Sequence, residues 1–283
     1  NGVISINADA KTSSEPTTDN IAWGQTGLLL SLANVKATGT GRISINASAG
    51  TNTSTTGATC RGAYLAGTLS TVSGAIDVTG TGCANTVATG SRTGLTNVGI
   101  GSDSAFNIIT TSATAGQGNV SLTGTSGAQT GDSLPIKTSG ILFYAPSGVE
   151  KILTAAGSIT INGSNNANTS VLTGNVSGIG GLTVQATSSD GGDINITGTG
   201  AGTNGAGGTV IGYDSALASS TYPVLVDTTG AITITGTGTG SNGFGVRLAS
   251  SITTATATAT SADNALIGKS ATSVTINGNG STS

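Results

Sequence analysis

The sequence predicts an all-β chain wound as a parallel β-helix, a solenoid of about seven to eight turns with three short strands per turn. Three observations predict it. A seven-residue cadence recurs through the chain. Two further β-type runs follow it in a fixed order. The composition suits strands and tight corners rather than helices or a linker.

In the cadence, glycine (once threonine) is followed by x-aliphatic-x-aliphatic, then Asn or Thr, then a small residue. Its copies are Gly2–Ala8, Gly41–Ala47, Gly74–Gly80, Gly118–Gly124, Gly157–Gly163, Gly192–Gly198, Gly230–Gly236 and Thr272–Gly278. Their spacings are 39, 33, 44, 39, 35, 38 and 42 residues. A constant motif at variable spacing marks a solenoid whose rung is fixed and whose loops vary. Period-two alternation places both aliphatics on one face of a strand. With turns stacked in register, those aliphatics pile into two inward columns. One is Ile4, Ile43, Ile76, Val120, Ile159, Ile194, Ile232 and Val274. The other is Ile6, Ile45, Val78, Leu122, Ile161, Ile196, Ile234 and Ile276. Each such side chain contributes about 1.5–3 kcal/mol of gross burial. The next position is always Asn or Thr, and such a column can hydrogen-bond along the axis. Glycines are expected at the corners, where a positive φ costs them nothing.

The second run reads GLLL at Gly27–Leu30, GAYLA at Gly62–Ala66, GILFY at Gly140–Tyr144, GTVIG at Gly208–Gly212 and GFGVRL at Gly243–Leu248. The third reads LSTV at Leu69–Val72, VEKIL at Val149–Leu153, GLTVQA at Gly181–Ala186 and PVLVD at Pro223–Asp227. Three short strands with glycine-rich corners describe one circuit of a β-helix. A sandwich would need longer strands and hairpin turns, yet Asn162-Gly163 and Asn277-Gly278 lead into polar loops.

Charged residues make up 7% of the 283 residues, against about 25% in ordinary domains. Net charge is −3, and no basic stripe exists to hold nucleic acid. No run approaches the roughly 18 apolar residues of a membrane-spanning helix. The abundance of Ile, Val and Thr in strict alternation argues against a disordered linker. The whole chain, 1–283, reads as one β-helix domain. It opens in mid-cadence at Asn1-Gly2, as a processed protein or a piece of something longer would. No amphipathic helix covers either end. The end rungs are therefore expected to pair with more of the same polypeptide or with other copies, end to end, as a fibre.

The cadence G-x-I-x-I-[NT]-G-x-G with its following strand, best seen at GDINITGTGAGTNGAGGTVIG and GAITITGTGTGSNGFGVRL, resembles the filamentous-haemagglutinin-like and autotransporter-type bacterial surface adhesins. The resemblance spans nearly the whole chain and is strongest from Gly157 onward. It implies a right-handed β-helix, export to the cell surface, and attachment or fibre building. A host or cell-surface carbohydrate is the partner such attachment suggests. No secretion domain or outer-membrane barrel is recognisable.

Cys60 and Cys83 fall in the first-to-second-strand loops of consecutive turns, where a disulfide would pin two neighbouring loops; two unpaired small residues is the other reading. The absence of histidine removes Ser-His-Asp and Cys-His machinery and imidazole metal sites. Carboxylates cluster in a solenoid only at equivalent positions of adjacent turns. Asp77 faces out between Ser44 and Ser121, and Asp103 and Asp214 lie turns apart. Asp190, Asp193 and Asp227 form the best group, open to three readings: a Ca²⁺ site, a glycosidase pair, or solvated turn carboxylates. The aromatics Tyr64, Phe143, Tyr144 and Phe244 fall on the second run, as core filling or as a sugar-stacking platform. No cofactor is implied. A non-enzymatic scaffold is the favoured expectation, and a carbohydrate-binding or carbohydrate-cleaving β-helix the alternative.

Overall fold

The structure, a computed structural model, describes residues 2–10, 25–52, 59–85, 96–128, 137–143, 149–166, 176–201, 207–211, 224–240, 243–248, 251–253 and 264–280. Among these there is no helix. Each cadence forms a strand: β1 (Val3–Asp9), β3 (Arg42–Ser48), β6 (Ile76–Thr81), β10 (Val120–Thr125), β13 (Ile159–Asn165), β16 (Ile194–Gly200), β19 (Ala231–Gly238) and β23 (Ser273–Asn279). These stack in chain order as one parallel eight-stranded sheet. The second runs form β2 (Gln25–Lys36), β5 (Thr59–Thr71), β8 (Thr96–Ser102), β11 (Lys137–Phe143), β14 (Val176–Leu182), β17 (Gly207–Ile211) and β20 (Val246–Leu248). The third runs form β9 (Asn107–Thr110), β12 (Glu150–Thr154), β15 (Val184–Ser188), β18 (Val224–Thr228) and β22 (Asn264–Ile267), with β21 (Ser251–Thr253) beside β22. Second and third strands make one 13-stranded sheet, because β5 runs through the corner between them and pairs with both β8 and β9. A two-residue pair, β4 (Thr51–Asn52) and β7 (Ala84–Asn85), joins two loops.

The chain is thus a parallel β-solenoid, of about five turns. Seven to eight three-stranded turns is an overcount. In the first two circuits β2 and β5 carry the second and third strands without a break, and only β23 represents the last. The circuits opening on β6, β10, β13, β16 and β19 carry three separate strands. The runs β8, β9, β14 and β22 escape a reading by pattern: glycines split β8 and β14, β9 and β22 have four residues each, and GLTVQA, read as one run, straddles β14 and β15.

Pairing in the eight-stranded sheet is residue to residue. Ile4 faces Ile43, then Ile76, Val120, Ile159, Ile194, Ile232 and Val274. Ile6 heads the parallel column through Ile45, Val78, Leu122, Ile161, Ile196, Ile234 and Ile276. From β3 to β19 these side chains are buried. On the end rungs Ile4 and Ile6 are half-buried, and Val274 and Ile276 are each 43% exposed. The core is closed by Ala63, Ile100, Ile141 and Ile179 from the second strands and by Leu69, Ile108, Ile152, Ala186 and Val226 from the third.

Glycine has a different role here from positive φ at the corners. A column of seven, Gly27, Gly62, Gly99, Gly140, Gly178, Gly208 and Gly245, runs up the second strands at equivalent register. Opposite it lie the closing glycines of the cadence. A Cβ on Gly124 would sit 2.1 Å from the Gly140 carbonyl oxygen, one on Gly163 2.3 Å from that of Gly178, and one on Gly236 1.9 Å from that of Gly245. The two backbones touch, so the lumen there has no room for a side chain. Among the described residues positive φ occurs at other glycines, such as Gly39, Gly116, Gly118, Gly191 and Gly268, and at Leu32.

The third-to-first corner is tied from inside by hydroxyls. Thr71, Thr110, Thr154, Ser188 and Thr228 stack in one inward column. Thr71 Oγ1 donates to the Gly74 carbonyl at 2.6 Å, Thr110 to Gly118 at 2.7 Å and Thr154 to Gly157 at 2.6 Å. A carbonyl that a corner would leave orphaned is thereby satisfied.

Candidate functional site

Cys60 and Cys83 are bonded, with a Cα–Cα distance of 5.6 Å, and both are fully buried. Their placement differs from two stacked loops. Cys60 is the second residue of β5, and Cys83 lies between β6 and β7, two residues past the end of β6. The bridge therefore joins the end of one circuit's loop to the start of the next. It faces the wall of buried polar groups that fills this corner. Asn97, paired in register with Cys60, donates from Nδ2 to the Cys83 carbonyl at 2.8 Å. Two turns up, Asn165 donates to the Thr138 carbonyl at 3.0 Å and accepts from Ser126 Oγ at 2.9 Å.

Asp190, Asp193 and Asp227 do not converge. Asp193 Oδ1 accepts from the Ala231 backbone N–H at 2.9 Å. Asp227 accepts from the Ser270 N–H at 2.7 Å and its hydroxyl at 3.0 Å. Each carboxylate clasps backbone of the circuit above instead of facing the others. Asp190 joins through its backbone, which donates to Ala155 at 2.6 Å. Among the described residues no group of three or more His, Cys, Asp or Glu could hold a metal ion.

The densest polar cluster is one that sequence reasoning missed. Arg61 and Tyr64 on β5 meet Asp103 in the corner between β8 and β9. Arg61 Nη2 lies 3.1 Å from Asp103 Oδ2, and the Tyr64 hydroxyl donates to Asp103 Oδ1. The guanidinium stacks over the Tyr64 ring at 4.7 Å. Burial, then the hydrogen bond to Asp103, push the Tyr64 hydroxyl above its ordinary pKa. One circuit up, Glu150 opens β12. It takes an inward place between Phe106 below and Val184 above, and it is 0% exposed. Burial, above all, raises its carboxyl well above the ordinary range, and the nearby Asp103 charge raises it further; the neighbouring hydroxyls of Thr183 and Ser102 oppose the shift. Nothing in the local sequence VEKIL distinguishes Glu150 from an outward residue; only the register of β12 reveals it. Asp103 is occupied by Arg61 and Tyr64, and Glu150 is sealed from solvent. The pair offers no accessible acid and base.

Three of the four described aromatic rings are inside. Tyr64, Phe106 and Phe143 are buried, with Phe106 and Phe143 centred 5.0 Å apart. Phe244 is half-buried, with Arg247 at 6.0 Å. Tyr144 and Asp214 lie outside the described residues. No described ring is exposed, so no stacking platform forms among them. An apolar crevice between Leu30, Leu65, Leu69 and Phe106 has a volume of about 10 Å³, room for about one water and far below the roughly 300–1,000 Å³ of ligand pockets. It opens where Gly67 takes the register position held by Phe106 one turn up.

What faces outward in quantity is the polar side of the eight-stranded sheet. Its columns include Asn7, Asn46, Thr79, Thr123, Asn162, Thr197, Thr235 and Asn277, and beside them Thr81, Thr125, Ser164, Thr199, Thr237 and Asn279. Thr125 and Ser164 hydroxyls lie 3.1 Å apart across two rungs. Charge on this face is sparse, and Asp77 is paired with Arg42 at 2.8 Å.

Comparison of the chain with protein-family models, with curated proteins and with solved structures finds no match. The fold and the chemistry of its surfaces therefore carry the functional reading.

Proposed function

We propose that this chain is a non-enzymatic structural segment of an extracellular surface fibre, of the kind built by the bacterial adhesins it resembles in cadence. The observation that carries this reading is the unbroken aliphatic ladder, which can be extended rung by rung without a new kind of contact. Eight strands repeat one set of inward contacts, and Val274 and Ile276 at the last rung are each 43% exposed. Those side chains suit burial beneath another rung of the same kind. An adhesive role would use the broad, charge-poor outer sheet, with host or cell-surface carbohydrate as partner. The buried disulfide fits an oxidising exterior.

Electron microscopy of the purified chain tests the proposal. The expected result is rods that lengthen end to end with concentration, β1 of one copy continuing the stack of β23. A population that stays as single short particles at every concentration counts against it.

A further inference from the structure

We propose that Glu150 is a proton-dependent latch: as a neutral acid it ties the second-to-third corner of one circuit to that of the next, and its ionisation releases the tie.

The hydrogen-bond geometry reads the proton. Thr183 Oγ1 lies 2.9 Å from Glu150 Oε2 and 3.0 Å from the carbonyl oxygen of Phe143. One hydroxyl hydrogen cannot serve both. The Phe143 carbonyl also takes the Thr183 backbone N–H at 3.4 Å; with the hydroxyl donated to that carbonyl, which only accepts, Thr183 accepts from the neutral Glu150 acid. The chain then runs from the Glu150 acid through Thr183 to Phe143, linking the end of β11 and the start of β12 to the step between β14 and β15. The other carboxyl oxygen, Oε1, is buried with no hydrogen-bond partner, because the nearby Ser102 spends its hydroxyl hydrogen on the Ser104 carbonyl at 2.6 Å. That is tolerable for a neutral acid and costly for a carboxylate.

The surroundings agree. The side chains above and below Glu150 in its column are Val184 and Phe106. From the circuit below, the facing ionisable groups are Asp103, which repels a second negative charge, with Arg61 and Tyr64 already bound to it. From the circuit above, Leu182, Thr183 and Val184 bring no charge. On its own strand Lys151 takes the alternate, outer side. No described cation is placed to compensate ionisation.

The sign follows. Glu150 holds its proton more tightly folded than unfolded. Folding is favoured in full below the unfolded carboxylate value of about 4.3. As pH rises above that value the unfolded chain sheds the proton first, and stability falls until the folded group also ionises.

The test is urea unfolding of the full chain from pH 4 to pH 8, for the wild type and Glu150→Gln. An amide keeps the N–H···Oγ bond to Thr183 and cannot ionise. The difference between the two chains should shift against the wild type by up to about tenfold in the unfolding equilibrium constant per pH unit within the window. Equal pH dependence in both overturns the proposal. Should the variant fail to fold, infrared spectroscopy of the folded wild type decides. A protonated-carboxyl C=O band persisting to near-neutral pH supports the latch, and its loss near pH 4 to 5, with every carboxyl ionised, overturns it.

Discussion

Single positions in this molecule divide sharply by what lies within 3 Å of them. Gly124 is a strand residue with an ordinary backbone, yet a methyl group on it would meet the Gly140 carbonyl oxygen at 2.1 Å. Gly124→Ala should lower unfolding free energy by about 1–3 kcal/mol, the usual cost of overpacking, and more if the sheets cannot part. Thr160 on the outer face is the control. Its truncation to Ala should change stability by less than about 0.5 kcal/mol. Urea midpoints of the two variants check the contrast, and equal effects would mean the glycine contact yields. The glycine cadence was plain in the sequence. Its cause was not, because the clash is with a backbone about 16 residues away, Gly124 against Gly140, and spacing alone cannot distinguish a turn from a close approach. Glu150 shows the same limit. An acid inside VEKIL looks like any solvated charge until register decides which way it points.

At the level of strands and rungs, in-register stacking turns one residue choice into a column. Ile161 and Ile276 occupy the same column in β13 and β23, but the first is fully enclosed and the second is 43% exposed. Ile161→Ala should cost about 2–5 kcal/mol, and Ile276→Ala clearly less. Thermal or urea denaturation of the isolated chain distinguishes them, and equal losses would show that the last rung is covered in solution. The disulfide acts at this level too. Cys60 and Cys83 enclose a separation of 23 residues, worth about 3 kcal/mol on the chain-entropy account. Reduction, or the double change to Ser, should lower the unfolding free energy by that amount. Thiol titration of the unreduced, denatured chain should find no free thiol. First strands were legible because their alternation is strict. Second strands were legible only where a glycine opened them, and third strands only where a short aliphatic alternation stood out, as in PVLVD. Where β5 passes through a corner unbroken, pattern reading split one strand into two.

Across the whole molecule, contacts are repeated between neighbouring circuits and scarcely reach further. Stability in such a stack is close to a sum of local terms, so the proton latch and the bridge act as two local clamps at different heights. Function was the least legible level. Composition removed histidine chemistry and a basic binding face, but of the three carboxylates it singled out, those of Asp193 and Asp227 proved to be spent on the circuit above. The ladder has one more consequence. Val120 meets Ile159, and Ile159 in turn meets Ile194, with the same atoms on the same pleat. Excising residues 159–193 would set Ile194 directly upon Val120 and leave the aliphatic ladder a familiar face, at the loss of Thr183 opposite Glu150. Length is therefore a freely adjustable property of this architecture: a gene that gains or loses one period changes how far the protein reaches without having to reinvent how it folds.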